Sequence, residues 1–310
     1  MPNRETIARE IVELKNSGQD IVRRKYVDEL SKYTKRDTVI YFSGYHIPRS
    51  IQISPAALML NLQDIQGFMS SLNGLSGENL DLVLHSPGGS LEAADQIVQY
   101  LRLKYKHIRA IVPQNAMSAA TMIACACDEI ILGKHSAIGP IDPQMTLPGP
   151  NGIAMSVPAH MILKDFEQAK VEIASNPVLA NLWVPKLSSI PVGFLNLCDQ
   201  TIQLAKLKVE KWLSDYMFKG EDGSKAKIIA DYLGNFDEHK THGRPIGYEV
   251  ALHQGLKVKK LESDSTLQEL VLSIFHSTIV TFESTICIKI IENHLGKGQY
   301  TIPQMSQQGG

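Results

Sequence analysis

Two short turns hold the residues most able to do chemistry. One is His85-Ser86-Pro87-Gly88-Gly89-Ser90, and the other is Pro113–Ala120 with Ser118 near its end. Each stands where an apolar run gives way to a helical pattern: Leu80–Leu84 before the first, Ile108–Val112 before the second. A serine in the first turn of a helix meets the positive end of the helix dipole and several N–H groups with no partner. Backbone N–H groups at a strand-to-helix turn can also point at an oxyanion as it develops. Together these features suit acyl transfer through a serine nucleophile.

The surrounding pattern brings the two turns together. Strand 80–84, helix 90–104, strand 108–112, helix 116–127 and strand 129–132 alternate in order. Such alternation predicts parallel strands joined by right-handed helical crossovers. The strands are apolar almost throughout, as in a sheet covered on both faces. The turns leaving successive strands then share the carboxyl edge of the sheet, so Ser86–Ser90 and Asn115–Ala120 are expected to be neighbours.

The flanks read as follows. Residues 4–33 form an amphipathic helical arm with Ile7, Ile11, Leu14, Ile21, Val22 and Val27 in its stripe and a break at Gly18. Residues 38–42 make the first strand, and Ser54-Pro55 starts a helix running to 72. After a loop at 136–144, Ser156-Val157-Pro158 starts a helix over 159–175. Further helices are expected at 194–218, within 220–240 and at 249–255, with a short strand at 256–258. A final helix covers 264–294 ahead of a Gly/Gln/Ser-rich, mobile tail.

Composition narrows the function. The hydrophobic fraction is 44%, the charged fraction 20% and the net charge −1. No global field recommends nucleic acid or an anionic membrane as a partner. The apolar stretch 270–291 is interrupted by His276, Glu283 and Lys289, so no membrane span is expected. The start Met1–Glu5 is polar, from which no secretory leader and a cytoplasmic location are expected. Cys125, Cys127, Cys198 and Cys287 match no zinc spacing, which predicts reduced thiols and no metal. No cofactor is expected.

Five motifs in register carry a family resemblance. They are Ser86-Pro87-Gly88-Gly89-Ser90, Ala116-Met117-Ser118-Ala119-Ala120, Asp128-Glu129-Ile130-Ile131, Gly139–Gln144, and Thr241-His242 with Pro245-Ile246, Ala251 and Gly255-Leu256. Over roughly residues 38–260 the chain resembles the ClpP/crotonase superfamily, in particular its SppA/ClpP-class serine peptidases, and is most similar to the serine dehydrogenase proteinase family. The resemblance implies an α/β fold, a ClpP/crotonase-like spiral of ββα units with a parallel sheet. It implies an N-terminal helical arm (1–36), a catalytic domain (37–260) and a C-terminal helix with a flexible tail (261–310).

On that resemblance Ser118 is the nucleophile, and the N–H groups of Gly89 and Ala119, beside Gly88, form the oxyanion hole. Ser118 could otherwise be an ordinary helix-cap hydroxyl, and Pro-Gly-Gly an ordinary turn. ClpP carries its histidine where this chain has Ile141-Asp142, so the ClpP arrangement is not expected here. SppA-like relatives use a lysine, which acts as a base when apolar burial favours its neutral form. Lys164 is the first candidate and His242, beside the slot of the ClpP triad aspartate, the second. His160 and Lys170 are further candidates. Asp142 reads as holding its loop or orienting a base, and Asp128 as capping an element end.

The expected substrate is a peptide or unfolded protein, bound extended beside Gly88-Gly89 as an added strand. A ring or trimer-based homo-oligomer is implied, with the arm 4–33 and helix 264–294 as candidate interfaces. Two alternatives stay open: a crotonase-like acyl-CoA enzyme, and an inactive peptide-binding scaffold.

Overall fold

A computed structural model describes residues 6–7, 10–11, 18–49, 53–148, 154–188 and 190–303. In order, the elements are α1 (Gly18–Thr34), β1 (Asp37–Ser43), α2 (Pro55–Leu58), α3 (Asp64–Leu72), β2 (Asn79–His85), α4 (Leu91–Lys104), β3 (His107–Val112), β4 (Asn115–Ala116), α5 (Ala119–Cys125), β5 (Glu129–Leu132) and β6 (Ala137–Ile138). There follow β7 (Gln144–Pro148), β8 (Ala154–Pro158), α6 (Ala159–Ser175), α7 (Ala180–Leu187), α8 (Phe194–Trp212), α9 (Ser224–Leu233), α10 (Phe236–His239), α11 (Tyr248–His253), β9 (Val258–Lys260), α12 (Ser265–Ser284), β10 (Lys289–Asn293) and β11 (Gly298–Thr301).

The main sheet runs β11-β10-β1-β2-β3-β5-β9. From β1 to β9 every pairing is parallel, and the β10–β11 hairpin closes one edge antiparallel. Alternate side chains feed two cores, as the pleat requires. Val39, Tyr41, Leu82 and Leu84 face α3, α4, α5, α8 and α9. Ile40, Phe42, Val83 and Ile111 face α1 and α12 through Val27, Leu30, Val271 and Ile274. Full burial of each such aliphatic side chain is worth about 1.5–3 kcal/mol.

The expected alternation holds from β2 to β5. The short strands β4 and β6 pair with each other beyond the ends of β3 and β5, giving two successive strand–strand units on the carboxyl edge. The chain then leaves the sheet over residues 133–257 for a helical excursion before returning as β9.

Four expectations change. The helix expected over 264–294 stops at Ser284, and Thr285 is extended. The run Ile288–Ile291 is rich in β-branched isoleucine and pairs with the open edge of β1, where its side chains are buried. The tail expected to be mobile from 296 contributes β11; residues 304–310 lie outside the described residues. The helix expected over 55–72 is split, because Leu60 bonds to the Gly88–Ser90 turn. Residues 156–158, expected to follow a loop, finish a β-hairpin with β7 and pass straight into the expected helix, α6.

The N-terminal helix packs on the body of the fold. Arg23 on α1 is fully buried and bonds Glu292 of β10 at 2.9 Å. Much of 4–17 lies outside the described residues.

Candidate active site

The two turns are hydrogen-bonded to each other. Ser86 N–H donates to the Asn115 carbonyl at 2.9 Å, and Met117 N–H donates to the Ser86 carbonyl at 3.0 Å. Extending β2 by one residue and β3 into β4 thus lays the Ser86–Ser90 turn against Asn115–Ala119.

Ser118 occupies the sharpest point of the second turn. Its φ is +52° and ψ −121°, a conformation that L-residues with a Cβ rarely adopt. It stands immediately before α5 but makes no capping hydrogen bond. The usual structural use of a serine at this position is therefore not the one found. Ser118 is partly exposed, while the residues after it are buried. Thr121 holds the turn: its hydroxyl donates to the Ala116 carbonyl at 2.7 Å and accepts the Gly139 N–H at 2.9 Å. Because α5 has only seven residues, the local N–H groups of its first turn matter more than a macrodipole.

Gly88 touches this point directly. A Cβ on Gly88 would stand 2.5 Å from the Ser118 Cβ and 2.9 Å from the Ala119 nitrogen. Its φ is +92°, which independently favours glycine. Gly89 has φ +151°, and a Cβ there would overlap the Leu60 backbone. These glycines are required by the close approach of neighbouring backbone. Among the described residues, neither Gly89 N–H nor Ala119 N–H donates to a backbone carbonyl outside the regular ladders.

The loop after β6 runs alongside. Gly139 abuts the Met117 side chain, and Ile138 exchanges two backbone hydrogen bonds with Ile246 at 2.8 and 3.1 Å. That pairing brings the segment containing His242 to the loop containing Asp142. His242 Nδ1 and Asp142 Oδ1 are 2.9 Å apart. Asp142 is 1% exposed, and its other oxygen accepts from the Gln144 amide at 2.9 Å. An ionised carboxylate only accepts, so Nδ1 is the donor to it, and in a neutral ring Nε2 then carries the lone pair.

The remaining candidates lie differently. Lys164 is 51% exposed and ion-paired with Asp237, an aqueous setting unlike the apolar one that a lysine base needs. Lys170 is paired with Glu167 on the exposed face of the same helix. His160 opens α6, which is anchored by the Ala159 N–H to the Pro143 carbonyl at 2.9 Å. Its ring stacks on Phe236, and its Nδ1 is buried without a partner. Burial lowers the His160 pKa, and Asp142 opposes that shift more than any other charge. Asp142 thus interacts with two histidines. Asp128 lies at the opposite edge, bound to Arg102 and capping the Ile108 N–H.

Sequence reasoning undervalued Asp142, which it treated chiefly as a loop residue. The available signal was positional: an acid at ClpP's histidine slot and a histidine beside its aspartate slot. It also missed the buried set Tyr41, Asp64 and Lys289 behind the first turn. The signal there was a lysine inside the apolar run Ile288-Lys289-Ile290-Ile291, which demands a buried partner.

His85 forms a second buried histidine site beside the turn. It packs among Phe42, Tyr45, His46 and Phe275. Burial pushes its pKa down to about 3, so the ring is neutral in the folded protein.

Known proteins supply the context. A protein of Methanocaldococcus jannaschii, itself uncharacterized, is 27% identical over 223 residues, spanning 68% of this chain and 74% of that one. A second uncharacterized protein of the same organism is 34% identical over 93 residues, and the match spans about a third of its length, 32%. Among solved structures, a mutant of a membrane-bound stomatin-specific protease superposes with a TM-score of 0.39 at 17% identity, covering 68% of this chain and 79% of that one. That likeness is too loose to argue from. Residues 73–272 match the profile of the ClpP-like SDH-type serine proteinases. This span runs from the loop before the Pro-Gly-Gly turn through Ser118 and His242 into α12, and the chain belongs to that family.

Proposed function

We propose that the protein hydrolyses peptide bonds through an acyl-enzyme on Ser118, with His242 as general base and Asp142 orienting it. The observation that supports this reading is the close approach of Gly88 to Ser118 and Ala119, beside a strained serine that caps nothing. Ser118 Oγ attacks the scissile carbonyl carbon and its proton passes to His242 Nε2. The carbonyl oxygen becomes an oxyanion facing the Gly89 and Ala119 N–H groups. Collapse breaks the C–N bond, and the amine leaves with the proton from His242. Water, deprotonated by the same ring, then releases the acyl group.

The base moves from Lys164 to a histidine because the lysine has water and Asp237 around it, whereas His242 has a buried carboxylate behind it. His160 is the second candidate, supported by its unpartnered Nδ1. A crotonase-like acyl-CoA enzyme needs the two N–H groups but no serine, so the strained, partly exposed Ser118 favours the peptidase. The substrate is proposed to be a peptide or unfolded protein, and the chain a homo-oligomer. Exposed Val178, Leu182, Val184 and Val192 on the excursion support an assembly.

A fluorophosphonate probe tests this reading. It should add its mass to the peptide containing Ser118, and Ser118→Ala should abolish the labelling. His242→Ala and Asp142→Asn should slow labelling by about 100-fold or more, the scale for loss of a general base. Lys164→Ala should change it little. Rapid loss with Lys164→Ala alone would return the base to the lysine, and loss with His160→Ala alone would move it to His160. An unlabelled, folded wild-type protein would overturn the nucleophile.

A further inference from the structure

We infer that the buried pair Lys289–Asp64, with Tyr41 and Leu60, positions the peptide whose N–H serves as the Gly89 oxyanion donor. This rests on the reading of Ser118 as nucleophile. The Gly88 carbonyl and the Gly89 N–H belong to one planar peptide, and no peptide in the described chain is cis. In a trans peptide the two point in opposite directions. Leu60 N–H donates to that carbonyl at 2.8 Å, and the Leu60 carbonyl accepts the Ser90 N–H at 2.9 Å. Leu60 therefore grips Gly89 from both sides and turns its N–H away from itself.

Leu60 in turn is held by the charge pair. It lies in the gap between α2 and α3, where no helical ladder fixes it. Lys289 Nζ donates to the Met59 carbonyl at 3.1 Å and bonds Asp64 Oδ1 at 2.6 Å. Asp64 Oδ2 accepts the Asn61 N–H at 3.0 Å. The residues on either side of Leu60 are thus tied to opposite members of one ion pair.

A second path reaches the same turn. The Tyr41 hydroxyl donates to Asp64 Oδ2 at 2.9 Å and interacts with the Ser86 hydroxyl. Ser86 Oγ accepts the Gly88 N–H at 3.1 Å. Burial, reinforced by Asp64, pushes the Tyr41 phenol well above its ordinary pKa, so it remains a donor. Tyr41, Asp64, Ser86 and Lys289 are all buried. An apolar pair of similar volume would be about as stable in such a place. What the ions add is direction, since each fixes one backbone group of the segment that grips Gly89.

The test compares Tyr41→Phe, Lys289→Met and the double variant Asp64→Asn/Lys289→Met, each accepted only if it unfolds cooperatively. Tyr41→Phe removes one oxygen and leaves no buried charge, so it remains informative if the lysine variants fail to fold. Two readouts are taken. The first is amide hydrogen exchange at Leu60 and Ser90, which should quicken by about tenfold or more. The second is turnover together with affinity for a peptide boronate, whose tetrahedral adduct on Ser118 needs the oxyanion donors. kcat and boronate affinity should fall together by roughly 10–100-fold, short of the loss expected from deleting a donor outright, with KM within about threefold of wild type. Exchange that quickens while kcat and boronate affinity hold would overturn the oxyanion role. Unchanged exchange would overturn the positioning role altogether. If the wild type neither turns over peptide nor binds boronate, the peptidase reading fails instead, and exchange alone decides whether Lys289 governs the turn.

Discussion

Ser118 combines two properties that pull against each other: it is held in a strained backbone conformation, and its hydroxyl caps nothing. Backbone strain of this kind costs on the order of 1–3 kcal/mol. Glycine at the position relieves it, against an unfolded-state penalty of about 0.4–1 kcal/mol. Ser118→Gly should therefore leave stability equal or raise it by roughly 1–2 kcal/mol, whereas Ser118→Ala keeps the strain and should not. Chemical unfolding of the two variants checks this, and equal loss in both would remove the case for strain. His85 gives a second residue-level expectation. Its pKa is about 3 in the fold against about 6.5 unfolded, so the unfolded chain binds the extra proton between those values. The contribution is intact above pH 6.5 and is lost as pH falls toward 3, at up to about 1.4 kcal/mol per pH unit. His85→Gln should flatten the pH dependence of the unfolding free energy by nearly one proton across that window. The neighbouring His46, whose pKa is also lowered by burial, should keep a smaller slope of the same sign.

Elements differed in how far the sequence revealed them. The strands at 79–85, 107–112 and 129–132 were legible because each is a compact apolar run bounded by turn residues. The neighbouring turns followed from the alternation of strand and helix. The end of α12 was not legible, because Leu270–Ile291 reads as one apolar stretch, and only the open edge of β1 makes its last part a strand. The break at Met59–Gln63 was hidden for the same reason, since its cause is a bond to Gly88 far along the chain. Ser118 and the glycines could be singled out from local pattern, but the His242–Asp142 contact spans a separation of 100 residues and needs the fold. Joining α1 to β10 is another such long-range tie. Arg23 bonds Glu292 and the Thr281 hydroxyl, with all three side chains buried or nearly so. Arg23→Met leaves Glu292 paired with Arg24 and Tyr300, and should destabilise the protein by less than the about 3–5 kcal/mol of a buried charge with no partner. A change in thermal midpoint of only a degree or so would show the pair to be dispensable.

On the scale of the whole molecule, apolar surface is distributed unevenly. The elements first considered as interfaces, α1 and α12, spend their apolar faces on the sheet and on each other. The excursion over 133–257 instead exposes Val171, Val178, Leu182, Val184, Val192, Leu204 and Leu207. Light scattering should therefore report a mass above that of one chain, and Leu182→Glu with Val184→Glu should lower it. An unchanged mass in the double variant would place any assembly elsewhere. Among the described residues no helix is long and apolar enough to cross a membrane.

The place of Lys289 in the chain has a temporal consequence. Synthesis proceeds from the amino end, so Gly88, Ser118 and His242 all leave the ribosome before Lys289 does. Until β10 arrives, the β1 edge is open, Asp64 has no lysine, and the segment gripping Gly89 has lost one of its two ties. A growing chain would then carry the proposed nucleophile without the finished turn proposed to hold the oxyanion. On the proposed roles of Ser118 and Lys289, competence would come only with the last part of the sheet.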